Sequence, residues 1–404
     1  MSSPAFVRHL PEELQVMPFS LRIMSLIGVW GSRDRFYRFC IIFSYGIIIV
    51  LFPKAVLGIG SSDYGAIAKG IGEFLFEFVI FAFMVIFVTK RRHFEAMIYE
   101  LTDMFKKVTF REQTRNCTEI IIKQNIQLKK FYNISVMYCG YAAIAYCLPS
   151  FCISHWRYWT SKYYNCSNPL IFDLPMEQEF YGLQIRTNFL HYHIFLLLSL
   201  LSYCTSSSFT FVKTTTPLFM MKYNTLAYRL VAAKIRELPN HLAESKQSEI
   251  SKSDLIEVVQ LHRQAYKVTN LIENICQIPM ALQFLTCILF WCLTMFYAST
   301  NVNFNLFNVA LAFFLSLLET AGYAYLGSEL IEAADSVGAA IYDLPWYEDS
   351  VEMQRFYRLM IQRTQQRTCV TGVRFFVVEL TSFSKVMNMS YSYYLILKDV
   401  LNKL

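Results

Sequence analysis

Near the end of the chain lies a row of polar side chains that an apolar helix does not need for facing lipid. Over Met360–Val400 an amphipathic basic segment runs to Arg374, then an apolar run carries Thr381, Lys385, Asn388, Ser392 and Asp399. Read as one helix, these spacings keep the five within a narrow sector at 3.6 residues per turn. A polar stripe on an apolar helix is what water requires, so this stretch is expected to line an aqueous path. A second row, Lys69, Glu73 and Glu77, sits near one end of another apolar run. Its i, i+4, i+8 spacing predicts a Lys–Glu ion-pair ladder along one helix face. Charges at that depth face protein or water, so Glu77 is also a candidate for a pocket wall or a coupling path.

Chemistry of other kinds has no support. The chain has no glycine-rich phosphate loop, no HExxH and no G-x-S-x-G, and its histidines are scattered, so no enzyme and no cofactor is expected. Eleven cysteines without CxxC spacing signal neither zinc nor a disulfide framework. Cys152 and Cys166 are the pair placed to meet on an outer face. The net charge of +7 does not point to nucleic acid, because the basic residues lie between apolar runs and no basic-aromatic module is present.

The elements that must position these rows are membrane helices. Of 404 residues, 55% are hydrophobic, 16% aromatic and 17% charged, too few charges for a soluble surface. The apolar residues cluster in runs of the roughly 20 residues that cross a bilayer as helix. Seven such segments are expected: Phe36–Gly60, Ala66–Val88, Phe131–Ile153, Asn188–Val212, Leu271–Ser299, Leu306–Leu330 and the stripe-bearing terminal stretch. Before them, Leu14, Met17, Leu21, Met24 and Ile27 recur at helical spacing, as in an interfacial or a packing helix. Lys213 to about Lys267 reads as a hydrophilic connection.

Twenty-nine of the 37 Lys and Arg residues fall on the side that holds the N-terminus. This bias predicts a cytoplasmic N-terminus and, after seven crossings, an extracellular C-terminus. The sequon at Asn165 then lies in an outer loop, open to glycosylation. Such a topology argues against a rhodopsin-like G-protein-coupled receptor, whose N-terminus lies outside, and leaves it a lesser alternative. The fragments Asp34-Arg35-Phe36 and Asn168-Pro169-Leu170-Ile171-Phe172 imitate receptor signatures in the wrong places. A secondary transporter would favour internal repeats, and none is visible between the halves.

Two stretches carry a family resemblance: Gly327–Tyr347, with spaced alanines, Tyr342 and Trp346, and Leu359–Leu397. The second holds the basic LMIQRTQQR run, Gly372, Phe375-Phe376 and the Ser390-Tyr391-Ser392-Tyr393-Tyr394 ending. Together they resemble the insect odorant receptors, with the gustatory receptors the nearest alternative. The absence of a long insertion between the fourth and fifth segments resembles an odour-tuning subunit rather than the shared co-receptor. The resemblance implies an all-α seven-helix, odorant-gated, non-selective cation channel, a heterotetramer with co-receptor subunits in the lipid bilayer of a sensory neuron's dendrite. It divides the chain into an N-terminal segment 1–35, a bundle 36–350, and an anchor with pore helix, 351–404. The anchor is expected over about Val351–Arg367 and the pore helix over about Gly372–Val400. Aligning the Tyr-rich ending puts Ile396 and Val400 at an apolar gate, with Asp399, Ser392 and Asn388 on the path of permeant cations. Lys385 and Lys398 fit that path poorly. A small volatile odorant is expected among Phe74, Phe78, Phe81, Tyr141, Ala145, Tyr146, Pro149, His191, Phe195, Leu198, Phe307, Leu311 and Phe314. This set is apolar and aromatic, as burial of a small volatile demands.

Overall fold

The computed structural model describes residues 11, 14–31, 33–58, 63–109, 115–164, 171–245, 252–301 and 305–402. The Asn165 sequon and Cys166 lie outside them. In chain order the helices are α1 (Pro18–Ile27), α2 (Arg33–Gly46, continued by wide turns over Ile47–Leu51 and Pro53–Leu57), α3 (Tyr64–Thr89), α4 (Arg91–Thr109) and α5 (Arg115–Tyr164). There follow α6 (Phe189–Ser245), α7 (Lys252–Thr300), α8 (Asn305–Tyr342) and α9 (Val351–Thr364). A hairpin of β1 (Thr371–Gly372) and β2 (Phe376–Val377) leads to α10 (Leu380–Asn402).

Six helical stretches among the described residues are long and apolar enough to cross a membrane: Asp34–Leu57, Tyr64–Thr89, Cys117–Tyr163, Phe189–Leu238, Lys252–Thr300 and Leu306–Tyr342. They coincide with the first six expected segments. α10, at 23 residues, is about 35 Å long at 1.5 Å per residue, enough for a roughly 30 Å hydrocarbon layer. Its polar stripe lowers its hydropathy.

Helices α5, α6 and α7, of 50, 57 and 49 residues, are far longer than the roughly 20 that span a bilayer. The hydrophilic connection expected after Lys213 is therefore largely the adjoining ends of α6 and α7. Tyr223, Leu226, Ala227, Leu230 and Val231 of α6 are buried at helical spacing against Leu261, Ala265, Val268 and Ile272 of α7. One apolar stripe per helix suffices to zip two polar-looking segments together. At the N-terminus, Met17 and Met24 are buried in the same core and Phe19 meets Tyr132 at 5.2 Å, so α1 packs on the bundle.

The terminal stretch is not one helix. α9 ends at Thr364, where Met353, Tyr357 and Met360 have made its buried face. Then Val373 and Arg374 take left-handed φ of 50° and 61°, and Phe375 N–H closes a turn on the Gly372 carbonyl at 3.0 Å. Successive left-handed residues match the twist of a tight hairpin. The hairpin is fixed from outside. Glu273 of α7 accepts from the Thr371 amide at 2.7 Å and from the Thr371 hydroxyl, while Phe376 packs on Phe284 at 4.8 Å.

Candidate functional site

Helix α3 turns Glu73, Phe76 and Glu77 to one side, at the i, i+3, i+4 positions that share a face. They wall a cavity of about 100 Å³, several times the roughly 10–15 Å³ that a single water needs. Cys139 and Tyr146 of α5, two turns apart, form a second wall. Tyr203, Ser206, Ser207 and Thr210 of α6 repeat the helical spacing on a third. Phe290 of α7, with Leu311, Ala312 and Leu315 of α8, completes the sides, and Met176 comes from the connection before α6. Ser207 ties two walls together by donating to the Cys139 carbonyl at 2.8 Å.

The charged row on α3 belongs both to a ladder and to this wall. Lys69 lies 3.8 Å from Glu73, as the spacing predicted. Two partners from elsewhere in the chain could not be read from it. Lys54, swung inward where the α2 helix widens after Pro53, meets Glu73 at 2.5 Å. Pro53 has no N–H for the helical ladder, which favours such a local opening. Glu177, in the connection before α6, takes Lys69 at 3.4 Å and Arg186 at 2.8 Å. Burial alone would raise the Glu177 carboxyl, but Lys69 and Arg186 hold it below the usual carboxylate range. Glu73 also accepts from the Tyr146 hydroxyl at 2.8 Å and from the Glu177 amide at 3.1 Å. Glu77 accepts from the Ser206 hydroxyl at 3.1 Å.

Among the thirteen residues expected around an odorant, Tyr146 and Leu311 line this cavity. The others lie elsewhere. Phe74 and Phe78 stack on each other at 6.1 Å, with Phe78 exposed. Phe81 is buried against Phe43 and Phe209. Tyr141, Phe307 and Phe314 are 66%, 55% and 57% exposed on the outer surface of the bundle. Phe195 is buried with Phe180 at 5.1 Å in a separate cluster, on which Leu198 packs. His191 sits in the first turn of α6, where its Nδ1 accepts from the Gln184 amide at 3.2 Å. Ala145 and Pro149 are half-buried on α5 outside the cavity wall. On α3 the difference follows from helix geometry. Adjacent helix positions differ by about 100°, so choosing Phe74 and Phe78 instead of Phe76 turns the view to lipid. The charged ladder was the available signal, because its face must point to protein and Phe76 shares it.

On α10 the polar stripe survives the loss of the first helical turns. Thr381, Lys385, Asn388, Ser392 and Asp399 are all exposed, as are Ile396 (60%) and Val400 (51%) on the same side. The buried side is opposite, with Val386 and Ser390 toward the bundle. Glu379, a conceivable partner for Lys385, is engaged by Arg367 at 2.6 Å. The Lys398 ammonium lies 5.9 Å over the Tyr394 ring.

Residues 70–391 match the family model described as 7tm Odorant receptor. The chain belongs to the insect odorant receptor family. Among curated relatives, the odorant receptor coreceptor of Drosophila melanogaster is 27% identical over 161 residues, covering 39% of this chain and 33% of that protein. Odorant receptor 67c of the same fly is 22% identical, covering 40% of each. The chain thus matches well under half the length of these relatives. The structure of the olfactory receptor OR5 from Machilis hrabei superposes with a TM-score of 0.78 at 14% identity, covering 94% of this chain and 97% of that one. The same receptor solved in complex with eugenol superposes at 0.75. The fold is that of an insect olfactory receptor, a multi-pass helical membrane protein.

In this receptor one helix joins the cavity to α10. Phe290 of α7 lies in the cavity wall, 5.7 Å from Phe76. Its neighbour Trp291, about 100° further round the helix, donates to Ser316 at 3.1 Å and meets Phe383 of α10 edge-on at 6.1 Å. Ring contacts thus run from the cavity wall to α10 through two consecutive residues of α7.

Proposed function

We propose that this receptor is the odour-tuning subunit of an odorant-gated, non-selective cation channel, assembled as a heterotetramer with co-receptor subunits. Its place would be the dendritic membrane of olfactory neurons, with the N-terminus cytoplasmic and the C-terminus outside. The observation that carries the reading is the continuity from the cavity through Phe290 and Trp291 to Phe383, on a helix whose opposite face is polar. A small volatile fills the cavity and favours the arrangement of α3 and α5–α8 that accommodates it, and this preference biases α10. Copies of α10 around an axis would turn Asn388, Ser392 and Asp399 to water. Ile396 and Val400 would close the path by dewetting.

The test is heterologous co-expression with an insect co-receptor. Odour-evoked inward cation current that persists under G-protein blockade is expected. Current that requires G-protein signalling, or substrate uptake without conductance, would overturn the proposal.

Two substitutions probe its parts. Ile396→Ser puts a hydroxyl in the apolar constriction and is expected to raise the odorant-free holding current severalfold, read by whole-cell recording with and without a pore blocker. An unchanged leak would remove Ile396 from the gate. Phe383→Ala deletes an aromatic contact of the kind worth about 0.5–1.5 kcal/mol, which corresponds to a change of roughly two- to tenfold in the opening equilibrium. Saturating current should fall while the odorant concentration needed for binding changes little, and an unaltered maximal current would rule out this route.

A further inference from the structure

Glu77 is the buried carboxylate that, among the described residues, forms no ion pair. Four carboxylates are buried among the described residues: Glu73, Glu77, Glu177 and Glu319. Glu73 has Lys54 at 2.5 Å and Lys69 at 3.8 Å, Glu177 has Arg186 at 2.8 Å, and Glu319 has Lys213 at 2.7 Å. Glu77 has the Ser206 hydroxyl at 3.1 Å and, among the described residues, no cation within 4.0 Å. The neighbouring cations are committed. Lys54 and Lys69 are held by Glu73 and Glu177, and Lys213, whose ammonium lies 5.8 Å over the Phe76 ring, is held by Glu319.

This carboxylate is part of the cavity wall, and what surrounds it is aromatic. Phe76 and Phe290 lie beside it, with Tyr146 and Tyr203 in the same lining. The Tyr146 hydroxyl is spent on Glu73, whereas the Tyr203 hydroxyl is buried with no hydrogen-bond partner. The cavity therefore offers a carboxylate and a phenolic oxygen as acceptors, set among ring faces. Ring faces attract cations, and a buried ion that lacks a partner gains most from one that arrives with the ligand. A neutral alcohol satisfies one hydrogen bond but leaves the charge unpaired. A carboxylic acid is repelled by Glu77 and by Glu73 one turn away.

We propose that the cavity takes a small primary or secondary amine, bound as its ammonium ion. An N–H donates to Glu77 and the hydrocarbon lies against Phe76 and Phe290. This assignment rests on the reading of the cavity as the odorant site, and it makes Glu77 a specificity-determining residue.

The experiment is a matched series on one skeleton, 2-phenylethylamine, 2-phenylethanol and ethylbenzene, extended to butyl- and hexylamine with their alcohols. It is applied to the full receptor co-expressed with the co-receptor, beside a panel of neutral esters and terpenes. The amine is expected to open the channel at a concentration about tenfold or more below its alcohol, the advantage of a charge-assisted hydrogen bond over a neutral one. In Glu77→Gln, confirmed at the cell surface by antibody labelling, the amine-to-alcohol potency ratio should fall by a similar factor. The unsubstituted receptor decides the matter by itself if the variant does not reach the surface. An alcohol as potent as its amine, a full response to neutral volatiles with none to amines, or an unchanged ratio in Glu77→Gln would each overturn the assignment while leaving the channel reading intact. Silence toward every volatile, amine or neutral, would overturn the channel reading and this assignment with it.

Discussion

Replacing Glu73 by glutamine is expected to destabilise the receptor more than any other single change around the cavity. The side chains of Lys54 and Lys69 are each 1% exposed, and both converge on this carboxylate. Tyr146 and the Glu177 amide add two further hydrogen bonds to it. Glutamine keeps the size and one acceptor oxygen but leaves Lys54 buried without its counter-charge. Removing one partner of a buried pair typically costs about 3–5 kcal/mol, against a total folding stability on the order of 5–15 kcal/mol. Thermal melting of the detergent-solubilised receptor by size-exclusion chromatography reads the loss, together with surface expression. The double substitution Glu73→Gln with Lys54→Met should recover part of it, because two apolar or neutral groups of similar volume need no counter-charge. A melting temperature unmoved by Glu73→Gln would show that the lysines reach solvent. The same network gives a pH dependence. Glu177 is held below the usual glutamate range by Lys69 and Arg186. Its contribution is complete above that ordinary value and is lost as pH falls through the lowered one, so acid below the ordinary glutamate range destabilises the fold.

How much of this was legible depended on whether the deciding interaction was local. The first six membrane segments show in hydropathy because the bilayer imposes length and composition on each separately. The Lys69–Glu73 contact shows in spacing because both residues lie on one helix. The hairpin over 371–377 does not show, because it depends on Glu273, about a hundred residues earlier, and on Phe284 beneath Phe376. Local period favoured a continuous helix, and a long-range contact overrode it. The polar stripe nevertheless kept its meaning, since Lys385 to Asp399 all fall within α10. Most of the cavity was hidden for a different reason. Its rim comes from five helices, and which face each turns inward is set by its neighbours rather than by its own aromatic residues. Ser206, Ser207 and Thr210 look unremarkable on α6 until Glu77 and Cys139 stand opposite them. Aromatic residues such as Tyr141 and Phe314 were poor guides because lipid accepts them as readily as a pocket does.

Gly327→Ala separates backbone packing from helix propensity, since the two push in opposite directions. Within a helix, alanine is favoured over glycine by about 1 kcal/mol, and Gly327 has no left-handed φ that would reserve the site for glycine. A Cβ there, however, would stand 1.9 Å from the Val378 carbonyl oxygen and 2.9 Å from its carbon. Neither atom belongs to a side chain that can swing away. Val378 is fixed by its N–H, which donates to the Val370 carbonyl at 2.9 Å, and Ser328, the residue after Gly327, accepts from the Leu380 amide at 3.1 Å, where α10 begins. Overpacking of this kind costs about 1–3 kcal/mol or more, and it falls where α8 sets the position of α10. The variant is expected to melt earlier and to pass little odour-evoked current even when it reaches the surface. Gly140→Ala is the control, because a Cβ at that helical position meets nothing within 4 Å. It should leave current unchanged and hold or raise stability. Equal behaviour of the two variants would mean that α8 can shift away from Val378, and that the start of α10 is not set by this contact.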